Sequence, residues 1–309
     1  MYAELHAKTN FSFLEGASHA DELVRRAAEL GYMALAVTDR NSLAGVVRAH
    51  GAAKDAGLKL IIGAEITPDD APPVVLWATD RASYGRLSRL ITQGRRRAEK
   101  GACRLRFDDI AQYAEGLLAG VDWKLQNAKC KMQIEQSTIH SPLSTIHYPL
   151  STLHSYRDLF ADRCYLLAEL HRGPDDRRWL QQLGELSRQT RIPLAAAGDA
   201  HYHAPERAAL HDVLTAIRHG RTVAAATEHL FPNAERHLKS SGEMTALFAE
   251  APDALRRTLE IADRCTFSLD ELRYEYPEEL APPGQTLSGY LARLTWAGAR
   301  GRYPHSFAP

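Results

Sequence analysis

Along the first two-thirds of the chain, apolar residues gather into short unbroken runs, each closed by a polar residue and followed by an amphipathic stretch. The runs are YAEL (2–5), MALAVTD (33–39), LKLIIGAEI (58–66), VVLWATD (74–80), GLLAGV (116–121), CYLLAEL (164–170) and IPLAAAGDAH (192–201). After the first run, Leu23, Ala27 and Leu30 keep helical spacing. Ser18 is the predicted N-cap there, with Asp21 three residues on as a weaker capping box and Gly31 as the stop. Leu43, Val46, Val47, His50 and Ala53 predict a second helix ending near Gly57. The basic stretch RASYGRLSRLITQGRRRAEK predicts a third after the fourth run, and a helix over about 175–190 separates the last two runs.

Near-continuous apolar strands alternating with helices predict a parallel sheet covered by helices. About seven such units favour an α/β fold closed as a (β/α) barrel over an open sheet. A barrel places its chemistry at the C-terminal ends of the strands. His6, Asp39, Glu65, Asp199 and His201 stand there, each directly after an apolar run.

The pattern breaks over 124–155. STIHSPL, STIHYPL and STLHSYR are tandem seven-residue units from Ser137 to Arg157, and Pro142 and Pro149 exclude a continuous helix. The stretch reads as an inserted low-complexity loop with no role in the core. His140, His147 and His154 recur with the unit, and repetition alone produces their spacing. Beyond His203 the strands stop. A helix from Pro205 to Arg218, one capped by Ser240 or Ser241, and the amphipathic APDALRRTLEIADRC follow. A proline-rich linker, a helical run LSGYLARLTWAGARGRY and the loop-like end PHSFAP complete the chain, the end reading as a truncation. The expected organisation is a barrel over 1–203, a helical extension over 204–275, and a linker with the start of a further domain over 276–309.

Composition narrows the partners. Lys plus Arg is 38 and Asp plus Glu is 38 in 309 residues, so net charge advertises neither nucleic acid nor membrane. No apolar run approaches a membrane span of about 20 residues, and MYAELHAKTN lacks the basic and apolar regions of a signal peptide. Four scattered cysteines suggest neither zinc nor a disulfide framework. A cytoplasmic setting fits. There is no P-loop, nucleophile elbow or dinucleotide fingerprint.

The candidate chemistry is a metal site at the barrel mouth, built from His6, Glu15, Asp39, Glu65, Asp199 and His201, because phosphate-cleaving metal sites draw imidazoles and carboxylates from several strand ends. The plain alternative is that these residues cap strands and loops. Two neighbours oppose metal. Lys8 stands two residues after His6, and Arg40 follows Asp39; both are cations without a lone pair to offer. A cation among carboxylates takes over a metal's charge through ion pairs. Separately, the basic run 86–106, with Arg95, Arg96, Arg97 and Lys100 at its centre, either meets DNA phosphates or is a solvated helix face.

Longer stretches carry a resemblance. ELHAKTNFSFLEGASHADELVRRAAELGYMALAVTDRNSLAGVVRAH, GLKLIIGAE, GDAHYHAPERAALHDVLTAIR, ERHLKSSGEM and SLDELRYEYP, in that order, resemble the N-terminal region of bacterial C-family DNA polymerases, the polymerase III alpha subunit type. NFSFLEGASH, DELRYEYP and LTWAGARGRYP look most like the error-prone, damage-tolerance branch. The resemblance covers nearly the whole chain outside 124–155. It implies a polymerase-and-histidinol-phosphatase (PHP) domain, a (β/α)7-type barrel, leading toward a polymerase palm whose carboxylates hold two Mg²⁺ ions beyond residue 309. In family members with an intact barrel site, H-x-H, T-D-H, Glu and D-x-H motifs bind metals such as Zn²⁺ or Mn²⁺, and some proofread. His6, Glu15, Asp39, Glu65, Asp199 and His201 match those positions, while Lys8 and Arg40 replace two histidines. The resemblance therefore implies a DNA polymerase parent acting in DNA replication, damage tolerance and repair, with DNA, a sliding clamp and damage-tolerance proteins as partners. It also implies a barrel whose metals have been replaced by salt bridges. The alternatives are an active metal-dependent phosphoesterase or 3′–5′ exonuclease, and a non-catalytic interaction fragment.

Overall fold

A computed structural model describes residues 1–123, 148–272 and 281–303. Most of the expected insert, 124–147, and the ends of the expected linker lie outside them. The fold is α/β, and its seven strands form one sheet in sequence order that nearly closes into a barrel. The strands are β1 (Ala3–Ala7), β2 (Ala34–Val37), β3 (Lys59–Ile66), β4 (Val74–Ala78), β5 (Leu117–Val121), β6 (Cys164–Glu169) and β7 (Leu194–Ala197). The helices are α1 (Ala20–Glu29), α2 (Val46–Ala56), α3 (Arg81–Arg96), α4 (Phe107–Tyr113), α5 (Leu150–Phe160), α6 (Asp176–Thr190), α7 (Ala208–Arg218), α8 (Ser241–Leu247), α9 (Pro252–Arg264) and α10 (Leu287–Arg302).

The sheet is not wholly parallel, as expected from the apolar runs. β4 pairs antiparallel with both β3 and β5, and every other pairing is parallel. The reason is the connection: only residues 67–73 separate β3 from β4, too few for the crossover a parallel neighbour requires. β4 is buried on both faces like the others, so its apolar run carried no sign of direction.

Two local expectations change. Ser18 does not cap α1; Glu22 accepts the His19 amide at 2.8 Å instead, and Ser18 Oγ sits 2.7 Å from His203 Nδ1. The last repeat unit is not loop. Pro149 stands at the N-cap of α5, where its missing N–H costs nothing, and Leu153, Tyr156 and Phe160 turn a buried face inward. Ser151, Thr152 and Ser155 around them hid that helical spacing.

Trp77 fills the barrel interior, fully buried, and its indole N–H donates to Leu5 O at 2.9 Å. Glycines on both neighbouring strands make room. A Cβ on Gly63 would lie 3.0 Å, and one on Gly120 2.4 Å, from the indole. α9 closes the end where the parallel strands begin. Its Ile261 and Ala262, with Cys265 after it, join the apolar cluster of Ala3, Ala34, Tyr165 and Ala195. Thr258 Oγ1 accepts the Ala3 amide, Arg257 reaches Leu194 O, and the Thr266 and Phe267 amides donate to Thr79 O. Residues 1–271 accordingly form one compact unit, with helices after 203 packed into it; residues 272–309 form a second. In the second, α10 starts at Thr286, whose hydroxyl accepts the Gly289 amide, and Leu291 and Trp296 are exposed.

Candidate functional site

The seam between β1 and β7 sets up the site. Glu4, buried, accepts the Leu5, His6 and Gly198 amides on one carboxylate oxygen at 2.8–3.0 Å, and the Tyr2 hydroxyl on the other. Two successive β1 amides turning to one oxygen, with a register shift between Glu4 and Ala7, mark a β-bulge. The bulge breaks strict alternation, so Leu5 joins the apolar core while His6 reaches the carboxylates above it. Lys8 N–H then donates to Ala200 O and the Ala200 amide to His6 O, which closes the mouth side of the seam.

Lys8 occupies the middle of the mouth. Its Nζ lies 2.7 Å from Asp199 Oδ1, 2.9 Å from Glu65 Oε2 and 3.5 Å from His201 Nε2. His6 Nδ1 is 2.7 Å from Glu169 Oε1, and its Nε2 is 3.6 Å from Glu65 Oε2. Asp199 carries a second cation on Oδ2, Arg236, whose guanidinium stacks 4.1 Å over Phe231. Asp199 itself adopts φ 42°, a left-handed backbone that a non-glycine residue holds only where its surroundings impose it. Glu15 sits at the rim and takes Arg40 at 2.6 Å and Arg218 at 3.1 Å on one oxygen.

Burial alone would raise the Glu65 pKa, but the Lys8 ammonium and the nearby His6 imidazole outweigh it and hold the carboxyl well below its ordinary range. Burial and Lys8 both press His6 toward neutrality; the hydrogen bond to Glu169 and the neighbouring Glu65 carboxylate prevail, and its pKa ends above ordinary. At His201 the balance falls the other way, despite its contact with the Glu15 carbonyl. Burial and Lys8 hold it well below its ordinary value, and with Nδ1 donating to Glu15 O at 3.1 Å, its Nε2 lone pair faces Lys8.

Of the sequence-predicted residues, His6, Glu65, Asp199 and His201 converge on Lys8, and Glu15 joins the rim with Arg40. Asp39 does not. Thr9 and Ser12 give it both amides and both hydroxyls, at 2.7–3.1 Å, so it latches the loop after β1 instead of facing the mouth. Sequence reasoning missed Glu169, Arg218 and Arg236. Glu169 stands one residue before the end of the sixth apolar run, as Glu65 does in the third, and carried the same signal; the two arginines lie on later helical and loop segments with no local mark. Among the described residues, His6, Glu169 and Asp199 form one group that could hold an ion, with one ligand atom each within 4.8 Å of the others.

These donors do not fit a bound metal as they stand. The Lys8 ammonium already has two carboxylate oxygens and an imidazole around it, His6 is tied directly to Glu169, and Asp39 is spent on the loop. A cation at the mouth would have to displace one already there.

In the expected DNA-contact run, Arg95 donates to Asn41 O, Gly101 O and Ala102 O, and Arg97 pairs with Asp109 at 2.7 Å. These two fix α3 to its surroundings, while Arg96 and Lys100 are exposed.

A family model of the PHP domain matches residues 4–166, more than half the chain. The chain belongs to the PHP domain family. Curated relatives extend the match past the domain's edge. An error-prone DNA polymerase of Rhodopirellula baltica is 50% identical over 98% of this chain, error-prone DNA polymerase 1 of Agrobacterium fabrum 41% over 98%, and that of Pseudomonas fluorescens 45% over 98%. This PHP-domain chain spans only 26–27% of the length of those relatives. A solved amidohydrolase from Chromobacterium violaceum is 15% identical with a TM-score of 0.42, covering 65% of this chain and 88% of that one, too loose a likeness to bear on the chemistry. No helix among the described residues is long and apolar enough to cross a membrane.

Proposed function

We propose that this chain is the PHP region of an error-prone DNA polymerase acting in damage tolerance and repair synthesis in the cytoplasm. In this reading the barrel is a structural and partner-binding element. Primer extension belongs to Mg²⁺-holding carboxylates elsewhere in the whole protein, and DNA, a sliding clamp and damage-tolerance proteins are its partners. One observation carries the reading of the barrel: Lys8 Nζ lies between Glu65 and Asp199 and faces His201, at the place where their shared charge calls for a cation. The ammonium replaces the ion's charge but supplies no Lewis acid and no metal-bound water, so the mouth is held together without the means to cleave a phosphoester. Arg40 does the same for Glu15 at the rim. The exposed Arg89, Arg96 and Lys100 are the part of the basic run left to meet DNA phosphates.

Purified protein should carry no stoichiometric zinc or manganese by elemental analysis, and K8H/R40H should gain divalent-metal affinity. Incubated with a primed template and dNTPs, this chain should extend nothing; robust extension would overturn the reading. A second reading rests on the His6, Glu169 and Asp199 group: a single Zn²⁺ or Mn²⁺ ion bound there would make the barrel a phosphoesterase or 3′–5′ exonuclease. That reading requires one equivalent of metal in the natural protein and nuclease activity lost in Asp199→Ala.

A further inference from the structure

Asp199 is the residue on which the mouth's charges meet, and each of its oxygens has its own cation. Oδ1 takes Lys8 at 2.7 Å, with His201 Nε2 at 3.2 Å and His6 Nδ1 at 3.7 Å. Oδ2 takes Arg236. Lys8 reaches the mouth from the first strand and was legible beside His6. Arg236 arrives from a loop far along the chain, and the loop is fastened down. Its carbonyl accepts the His201 amide at 2.9 Å and the Tyr202 amide at 3.3 Å, and Tyr202 and His237 form a parallel bridge. The segment is thus bridged to the turn that follows β7. The guanidinium is also pinned from above, since Phe231 stacks on it at 4.1 Å and packs edge-on against His201 at 5.1 Å. Fastened backbone, stacked head and a buried carboxylate partner hold this guanidinium against Asp199.

We infer that Arg236 is a built-in guard of the barrel mouth: it occupies the second oxygen of Asp199 and excludes a divalent cation independently of Lys8. This rests on the proposed reading of the mouth as a metal pocket filled by cations, and sharpens it by naming what must leave before metal can enter. Reverting Lys8 and Arg40 alone removes the lysine from Oδ1 and one of the two arginines from Glu15 but leaves Asp199 paired on Oδ2. An incoming ion then meets a fixed positive charge one carboxylate away, and Asp199 cannot offer both oxygens.

The test is calorimetric titration with Zn²⁺ and with Mn²⁺ of the natural protein and of K8H/R40H, R236Q and K8H/R40H/R236Q, each checked for folding by circular dichroism. The triple variant should bind at least tenfold more tightly than K8H/R40H, and R236K in the same background should cancel that gain, since it returns the charge. Should the glutamine form fail to fold, R236M keeps the aliphatic stem under Phe231 and serves in its place. Equal affinity of K8H/R40H and K8H/R40H/R236Q, both measurable, would overturn the guard while leaving the metal-pocket reading intact. Binding by neither would overturn that reading and the guard together.

Discussion

At the end where its parallel strands begin, the barrel is stopped by α9, whose Ile261 and Ala262 share one apolar cluster with Ala3, Tyr165 and Ala195. At the opposite end the same strands stop in His6, Lys8, Glu65, Glu169 and Asp199, all buried and all facing other charges. Both ends exclude water, but by different physics. Apolar contacts at the floor are many, weak and non-directional, so losing one leaves the rest in place. The ion pairs at the mouth share partners: Lys8 serves Glu65 and Asp199, and Asp199 serves Lys8 and Arg236. Removing one member leaves a buried charge uncompensated, a larger penalty than the pair's own net worth.

The largest expected break is therefore at the mouth. Lys8→Met should destabilise by about 3–5 kcal/mol, because two buried carboxylates lose their common cation; urea unfolding reads it directly, and a loss below 1 kcal/mol would show that the mouth is not a closed charge network. At the floor, Ile261→Ala should cost on the order of 3 kcal/mol as a cavity term, with no change in the pH dependence of stability. Between the two ends, Gly120→Ala should cost about 2 kcal/mol, since the new methyl falls on the Trp77 indole and on Leu167; restored stability in a Gly120→Ala/Trp77→Phe pair would identify the clash as the cause.

Acid separates the ends more finely. The Glu65 carboxyl, depressed by Lys8 against the pull of burial, contributes stability that is fully present above its ordinary value of 4.5 and is lost as pH falls below it toward the depressed folded value. His6 works in the other direction: its raised pKa contributes stability present below 6.5 and lost as pH climbs through the folded value above that. Because His171, His201 and His211 are held neutral by burial, they lose stability as pH falls below 6.5, so the natural protein's maximum should lie near 6.5, where the His6 contribution begins to fade, and Lys8→Met should move the acid limb to higher pH. Ile261→Ala should lower the whole curve without reshaping it. Guanidinium unfolding from pH 3 to 8 would decide.

Much of this was legible before any fold was in view. The seven apolar runs marked all seven strands, because a strand buried on both faces must be apolar throughout. The polar residues closing those runs marked His6, Glu65, Asp199 and His201 as mouth residues, since strand ends set their position whatever the loops do. Glu169, at the end of β6, has the same mark. Asp39 had it too and turned away, because the loop after β1 offers its carboxylate two amides and two hydroxyls at hydrogen-bonding distance. A strand end fixes where a side chain starts, not which donors reach it first.

The amino-acid sequence by itself determined the strands, their order, the two misplaced cations Lys8 and Arg40, and the resemblance that names the family, since all of these are local patterns or strings. Only the tertiary structure decided that β4 runs backwards, through a connection too short to cross over; that the last repeat unit is a core helix; and that Arg236, brought from a distant loop, shares Asp199 with Lys8. Those three depend on which distant segments meet. Hydrophobic periodicity carries no information about such meetings, because it records burial without recording the partner.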